Sequence, residues 1–152
     1  MTTTWVLVAD EAIARILERP RNRRELVPVE ELTDPDAHAK ESELRHGPHG
    51  RRAGAAGGNG GSQATVSAGD SERHQHAQVF AARIAERLAQ CHRERRFDAL
   101  HVIAAPRLLG YLRQAFDATL SAAVVGTLDK DLVHESERDL AQRLFGAGGV
   151  RA

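Results

Sequence analysis

Phe97–Phe116 reads FDALHVIAAPRLLGYLRQAF, and its interpretation decides how the rest of the chain folds. Leu100 to Ala105 is a short apolar run containing β-branched residues, closed by Pro106 where a continuing central strand would need a backbone donor. A missing N–H costs nothing in the first turn of a helix, and Leu109, Leu112 and Phe116 then recur on one helical face. The stretch is therefore predicted as buried strand, tight turn and helix.

Working outward, Ala122 to Leu128 (AAVVGTL) is predicted as another buried strand, and Ser136 or His134 caps a final helix carrying Leu140, Ala141, Leu144 and Phe145. On the N-terminal side, Asp70 or Ser71 is a cap for a long helix running to about Arg95. Its face is Phe80, Ile84, Leu88 and Cys91, which Arg83, Glu86, Arg87 and Glu94 avoid. Thr4 to Ala9 (TWVLVA) is continuous and β-branched, as in a strand covered on both faces. The next segment, EAIARILER, has Ile13, Ile16 and Leu17 at helical spacing although its length also suits a strand; periodicity slightly favours helix. Pro20, Asn22 and the cluster Arg19, Arg21, Arg23 and Arg24 make a polar turn, and ELVPVEEL follows as an edge strand, since Pro28 cannot donate to a ladder on both sides.

Alternating helices and strands in the second half imply a parallel sheet, and the first half adds an antiparallel meander. The expected fold is α/β, a mixed five-stranded sheet of the ribonuclease H-like type in order 3-2-1-4-5. The whole is one domain over 1–146 with a fraying tail at 147–152, consistent with 152 residues. Arg45 to Thr65 lacks every large apolar residue and is crowded with glycine, so a flexible loop is expected at about 45–69.

Charge is balanced at 21 basic against 21 acidic residues, which leaves no global field to drive the chain onto nucleic acid or an anionic membrane. All basic residues but Lys40 and Lys130 are arginine. The single Cys91 excludes an intrachain disulfide, and no apolar run approaches the ~20 residues of a membrane span. A cytoplasmic location without membrane insertion is the default expectation.

In open α/β sheets, sites collect at the carboxyl ends of strands where the strand order reverses. That edge is expected to gather Asp10, Arg107, Asp129, Lys130 and Asp131. The three aspartates match in type the clustered carboxylates of a two-metal nuclease, but strand-end aspartates also start turns and cap helices, which is the plainer interpretation. The glycine stretch GGNGGS lacks the G-K-[ST] ending of a phosphate-binding loop. His46 and His49, or His74 and His76, have metal-compatible spacing without a cysteine beside them, and solvated histidines are the simpler account. Cys91 on an apolar helical face fits a small core residue better than a nucleophile. Arg107 and Arg113 suit either an anion near a helix start or partners among Asp98, Asp117 and Asp131. No intact catalytic motif is present, and no cofactor is indicated.

WVLVADEAIARIL, FDALHVIAAPRLLGYLR and LDKDLVHES together resemble the bacterial host-attachment protein family over nearly the whole chain. The most specific piece is the pattern A-P-x-x-L-G-x-L-R, carried by Ala105, Pro106, Leu109, Gly110, Leu112 and Arg113; a second is carried by Lys130, Asp131, Leu132 and His134. That family is similar to the central domain of archaeo-eukaryotic peptide-chain release factors. The similarity implies three antiparallel strands before the alternating part, making Ala12 to Glu18 the second strand. In the release factors a G-G-Q loop precedes the long helix; here GGNGGSQ places Ser62 between Gly61 and Gln63, so the tripeptide is not intact. Because no catalytic set is convincing, the first reading is a non-enzymatic binding or adaptor domain of that family with an unidentified protein partner. The alternatives are a ribosome- or tRNA-associated release-factor relative, with a ribosome or RNA as partner and Arg51, Arg52 and Gln63 as loop contacts, and a metal-dependent nuclease. Candidate binding residues are Asp10, Arg107, Arg113, Lys130, Asp131 and His134.

Overall fold

The computed structural model of the chain describes residues 2–34 and 59–146. Five strands, β1 (Thr4–Ala9), β2 (Ile13–Glu18), β3 (Val27–Thr33), β4 (Ala99–Ala104) and β5 (Val124–Leu128), form one sheet in the order β3-β2-β1-β4-β5. Among the described residues, four helices accompany them: α1 (Asn59–Arg93), α2 (Pro106–Ala115), α3 (Ala118–Ala123) and α4 (Glu137–Phe145). β1 runs antiparallel to β2 and parallel to β4, with Trp5 opposite Leu100 and Ala9 opposite Ala104. The expected mixed sheet and its strand order are those observed.

β1 is central because both of its faces have somewhere to go. Trp5, Leu7 and Ala9 join Ala14, Ile16, Leu100 and Val102 in a core covered by Phe80, Ile84 and Leu88 of α1 and Leu108, Leu109 and Leu112 of α2. Val6 and Val8 join Leu17, Ile103 and Leu26 in a second core closed by Leu140, Ala141 and Leu144 of α4. Each such buried aliphatic or aromatic side chain contributes roughly 1.5–3 kcal/mol, so these two layers, and not the surface ion pairs, carry the fold.

Several element boundaries correct the sequence expectation. The segment Ile13–Glu18 is strand, not helix, as the family resemblance implied. Ile16 and Leu17 point into opposite cores, and a strand covered on both faces loses the alternation that would distinguish it from a helix. α1 begins at Asn59, well before Asp70 or Ser71, so the end of the stretch read as loop is helical. The rest of that stretch, including Arg51, Arg52, His46 and His49, lies outside the described residues, as does 147–152. α2 ends at Ala115, and Asp117 instead caps α3 by accepting the Leu120 N–H at 2.7 Å. β5 starts at Val124 and is a half-exposed edge strand, with Val125 50% exposed, because among the described residues only β4 pairs with it.

Pro106 occupies the first turn of α2 and Ser136 caps α4, accepting from the Asp139 N–H at 3.0 Å. Cys91 is buried in the core. The edge strand β3 is clipped to α1 by Arg87, whose Nε and Nη2 donate to the two carboxylate oxygens of Glu30 at 2.8 and 2.7 Å. Those hydrogen bonds hold Glu30 below the usual carboxylate range.

Candidate functional site at the switch point of the sheet

The chain turns away from β1 to build β2 and β3, then returns beside β1 with β4 and continues to β5, so the strand order reverses between β1 and β4. Their carboxyl ends launch two connections, one through Asp10 and Glu11 and the other through Pro106 and Arg107. Asp10 is used by its own turn: Oδ1 accepts the N–H groups of Ala12 and Ile13, both at 2.8 Å. This is the plainer role foreseen for it.

Arg107 crosses the switch point to Glu11. Its Nη2 and Nε donate to Glu11 Oε2 at 2.9 and 3.1 Å, and Nη2 also reaches Oε1 at 3.1 Å. Its Nη1 lies 3.2 Å from Nε2 of His74 on α1, whose Nδ1 is 2.7 Å from the Tyr111 hydroxyl. A guanidinium can only donate, so Nε2 accepts and Nδ1 carries the proton directed at Tyr111. Arg107 and Tyr111 are four residues apart on α2, so both address the same histidine. Glu11, Arg107, His74 and Tyr111 therefore form a continuous polar chain linking the β1 turn, α2 and α1. Bidentate carboxylate geometry and two helix anchors fix the direction of each group.

Of the other candidates, Arg113 donates to Thr127 Oγ1 at 3.1 Å over β5 and takes no part in this chain. Lys130 and His134 are exposed on the β5–α4 connection, where Asp131 Oδ1 accepts the Val133 N–H at 3.4 Å. Arg15 of β2 holds that connection. Its Nη1 donates to the Val133 and Glu135 carbonyls at 2.8 and 2.7 Å, and Nη2 meets Glu137 Oε1 at 2.6 Å. Gln63 falls in α1. His74 is taken up by Tyr111 and Arg107, and among the described residues no three His, Cys, Asp or Glu side chains are grouped to hold a metal ion.

Sequence reasoning missed Glu11, Tyr111 and Arg15, and weighed His74 only as a metal ligand. Only Arg15 left a signal, a charge in the middle of an otherwise apolar strand. The other three meet through pairs more than 30 residues apart, which local patterning does not register.

One buried titratable group stands away from the switch point. His101 of β4 is 2% exposed, and its Nε2 has no hydrogen-bond partner among the described residues. Its ring meets Phe145 edge-on at 5.2 Å, and Gly126 of β5 passes over it so closely that a Cβ there would sit 3.2 Å from Nδ1. Burial, and secondarily the Arg19 charge, hold His101 below the usual imidazole range.

These features define an α/β domain with an open mixed sheet whose polar side chains interlock at the topological switch point. The chain belongs to the family of proteins required for attachment to host cells, whose model matches residues 5–144. No curated protein matches it. No helix among the described residues is long and apolar enough to cross a membrane.

Proposed function

We propose that this host-attachment family chain acts as a binding or adaptor domain and engages a protein partner across the carboxyl edge of its sheet. The observation that supports this is the Glu11–Arg107–His74–Tyr111 chain. Its groups satisfy one another and are anchored on three elements, so the edge is a surface of fixed shape and charge, and fixing groups beforehand lowers the ordering cost of association. Lys130 and His134 extend the same edge on a connection held by Arg15. The test is capture from the native cell with wild-type protein and with Arg107→Glu, analysing protein and RNA together. A protein retained by the wild type and lost with the variant is expected; identical captures would remove this edge from consideration.

A second reading, association with the ribosome or tRNA, is favoured by the order of elements. A glycine-rich stretch leads into the 35-residue helix α1, as the similarity to release-factor central domains implies. Co-sedimentation with ribosomes that depends on Gln63 would favour it over the first. The nuclease reading has the least support. Addition of Mg²⁺ or Mn²⁺ is expected to leave thermal stability unchanged, and a stabilising shift lost on Asp131→Asn would revive it.

A further inference from the structure

The opposite edge of the sheet carries a different feature. The connection from β2 to β3 returns at the amino ends of β1 and β4, with the Arg19 N–H bonded to the Thr4 carbonyl at 2.9 Å. Between this connection and the last turn of α4 lies a groove of about 460 Å³. Arg19, Arg23 and Arg24 line it from one side, and Gln142 and Phe145 from the other. Among the described residues, Glu25 is the one acidic residue in its wall.

Three observations bear on what the groove accepts. Arg19 sits over the Phe145 ring, its guanidinium carbon 3.9 Å from the ring centroid, so its direction is set before any ligand arrives. Among the described residues, Arg21, Arg23 and Arg24 have neither a hydrogen bond nor an ion pair, although acidic and basic residues are equal in number across the chain. The uncompensated charge is thus local and cationic. Finally, the volume lies in the range of small-ligand pockets, whereas tracking a nucleic-acid backbone takes a long basic strip.

We propose that this groove binds a compact phosphorylated ligand, with its phosphate or diphosphate group held by Arg19, Arg23 and Arg24. Planar guanidinium forks match phosphate oxygens bidentately, and a dianion supplies the charge the groove lacks. The Arg19–Phe145 pair forms the floor, and the Gln142 amide offers a donor and an acceptor to whatever carries the phosphate. This inference is independent of the proposal for the carboxyl edge, and the two tests do not share a variant.

The test uses the full chain at physiological ionic strength, with inorganic pyrophosphate and adenosine diphosphate as probes and titration calorimetry as the readout. Saturable binding of at least one probe is expected, weakened at least about tenfold in Arg23→Gln/Arg24→Gln, whose exposed positions leave the fold intact. In the wild type, resonance shifts should centre on Arg19 and Phe145. Pyrophosphate and adenosine diphosphate binding equally would assign recognition to the phosphates alone, and tighter adenosine diphosphate would assign part of it to the floor; either supports the site. No saturation in the millimolar range would overturn it, as would equal affinity in the double variant or shifts centred elsewhere. Binding of single-stranded RNA with neither small probe would overturn the compact ligand in favour of a nucleic-acid surface.

Discussion

At the carboxyl ends of β1 and β4, Arg107 is gripped by Glu11 and His74, and the adjoining connection is held by Arg15 through two carbonyls and Glu137. At the amino ends of the same strands, four arginines lie within six residues, and Arg21, Arg23 and Arg24 have no acceptor among the described residues. The residue type is the same at both edges, but its use differs. Arginine that is bidentate and hydrogen-bonded to backbone positions other elements, so its loss shows in folding. Arginine without an acceptor adds little to folding, and its charge remains available to something outside the chain. Stability and binding measurements should therefore separate the two edges.

The largest separation is expected at Arg15. Its side chain is only 12% exposed, so Arg15→Ala removes three charge-assisted hydrogen bonds from a partly dry environment, with an expected loss of about 2–3 kcal/mol. Arg23→Ala at the other edge should change stability by no more than about 0.5 kcal/mol. Urea unfolding of both variants decides the matter, and equal losses would erase the distinction between the edges.

His101 tests whether the arginine edge reaches the core. Its folded pKa lies below the ordinary 6.5, through burial and the Arg19 charge. As pH falls through 6.5 the unfolded chain takes up a proton that the folded chain refuses, so the unfolded state binds more protons in that window. The contribution is fully present above 6.5 and is lost as pH drops toward the folded value. Unfolding measured across this range should show a decline that His101→Leu flattens. Leucine also removes the unpartnered Nε2, so stability at neutral pH should be unchanged or slightly higher. A decline of the same depth in His101→Leu would assign it to other groups.

What was legible in the sequence follows from the range of the interactions. The strand at Leu100, the turn at Pro106 and the buried face of α1 are written in neighbouring residues, and β1 announces its central position by having no polar face. At Ile13–Glu18 periodicity alone points to helix because burial on both faces hides the period of a strand, and only the family resemblance makes it one. The start of α1 was misplaced because a capping residue at Asp70 is a local signal, whereas the helix continues through it. At the switch point, the rule about strand ends located Asp10 and Arg107, but pairing with Glu11, His74 and Tyr111 is a product of topology. The arginine cluster at 19–24 was visible as a polar turn. Its groove was not, because α4, the other wall, arrives more than a hundred residues later.

A smaller effect is expected where Arg107 meets Glu11. The two side chains are 43% and 34% exposed, so solvent screens much of the attraction, and a double-mutant cycle with Arg107→Ala and Glu11→Ala should give a coupling of about 0.5–1 kcal/mol. The coupling should fall in high salt. A value near zero would mean that the carboxyl edge is held by His74 and Tyr111 alone.

Gly110 completes the comparison, since it lies on α2 between Arg107 and Tyr111. Glycine inside a helix costs roughly 1 kcal/mol relative to alanine, which suggests on sequence grounds that close packing requires it. The structure corrects that expectation: a Cβ built on Gly110 meets nothing within 4 Å, whereas one on Gly126 meets His101 at 3.2 Å. Packing therefore accounts for Gly126 and not for Gly110. Gly110→Ala should stabilise the chain by about 0.4–1 kcal/mol, because alanine restricts the unfolded chain and the helical site has room for the methyl group. A destabilised variant would mean that α2 packs more closely there than the open space allows. If the variant is stabilised yet loses a partner captured by the wild type, the bare backbone beside Arg107 is part of the contact surface. That outcome would give the carboxyl edge a binding determinant that no charge substitution could reveal.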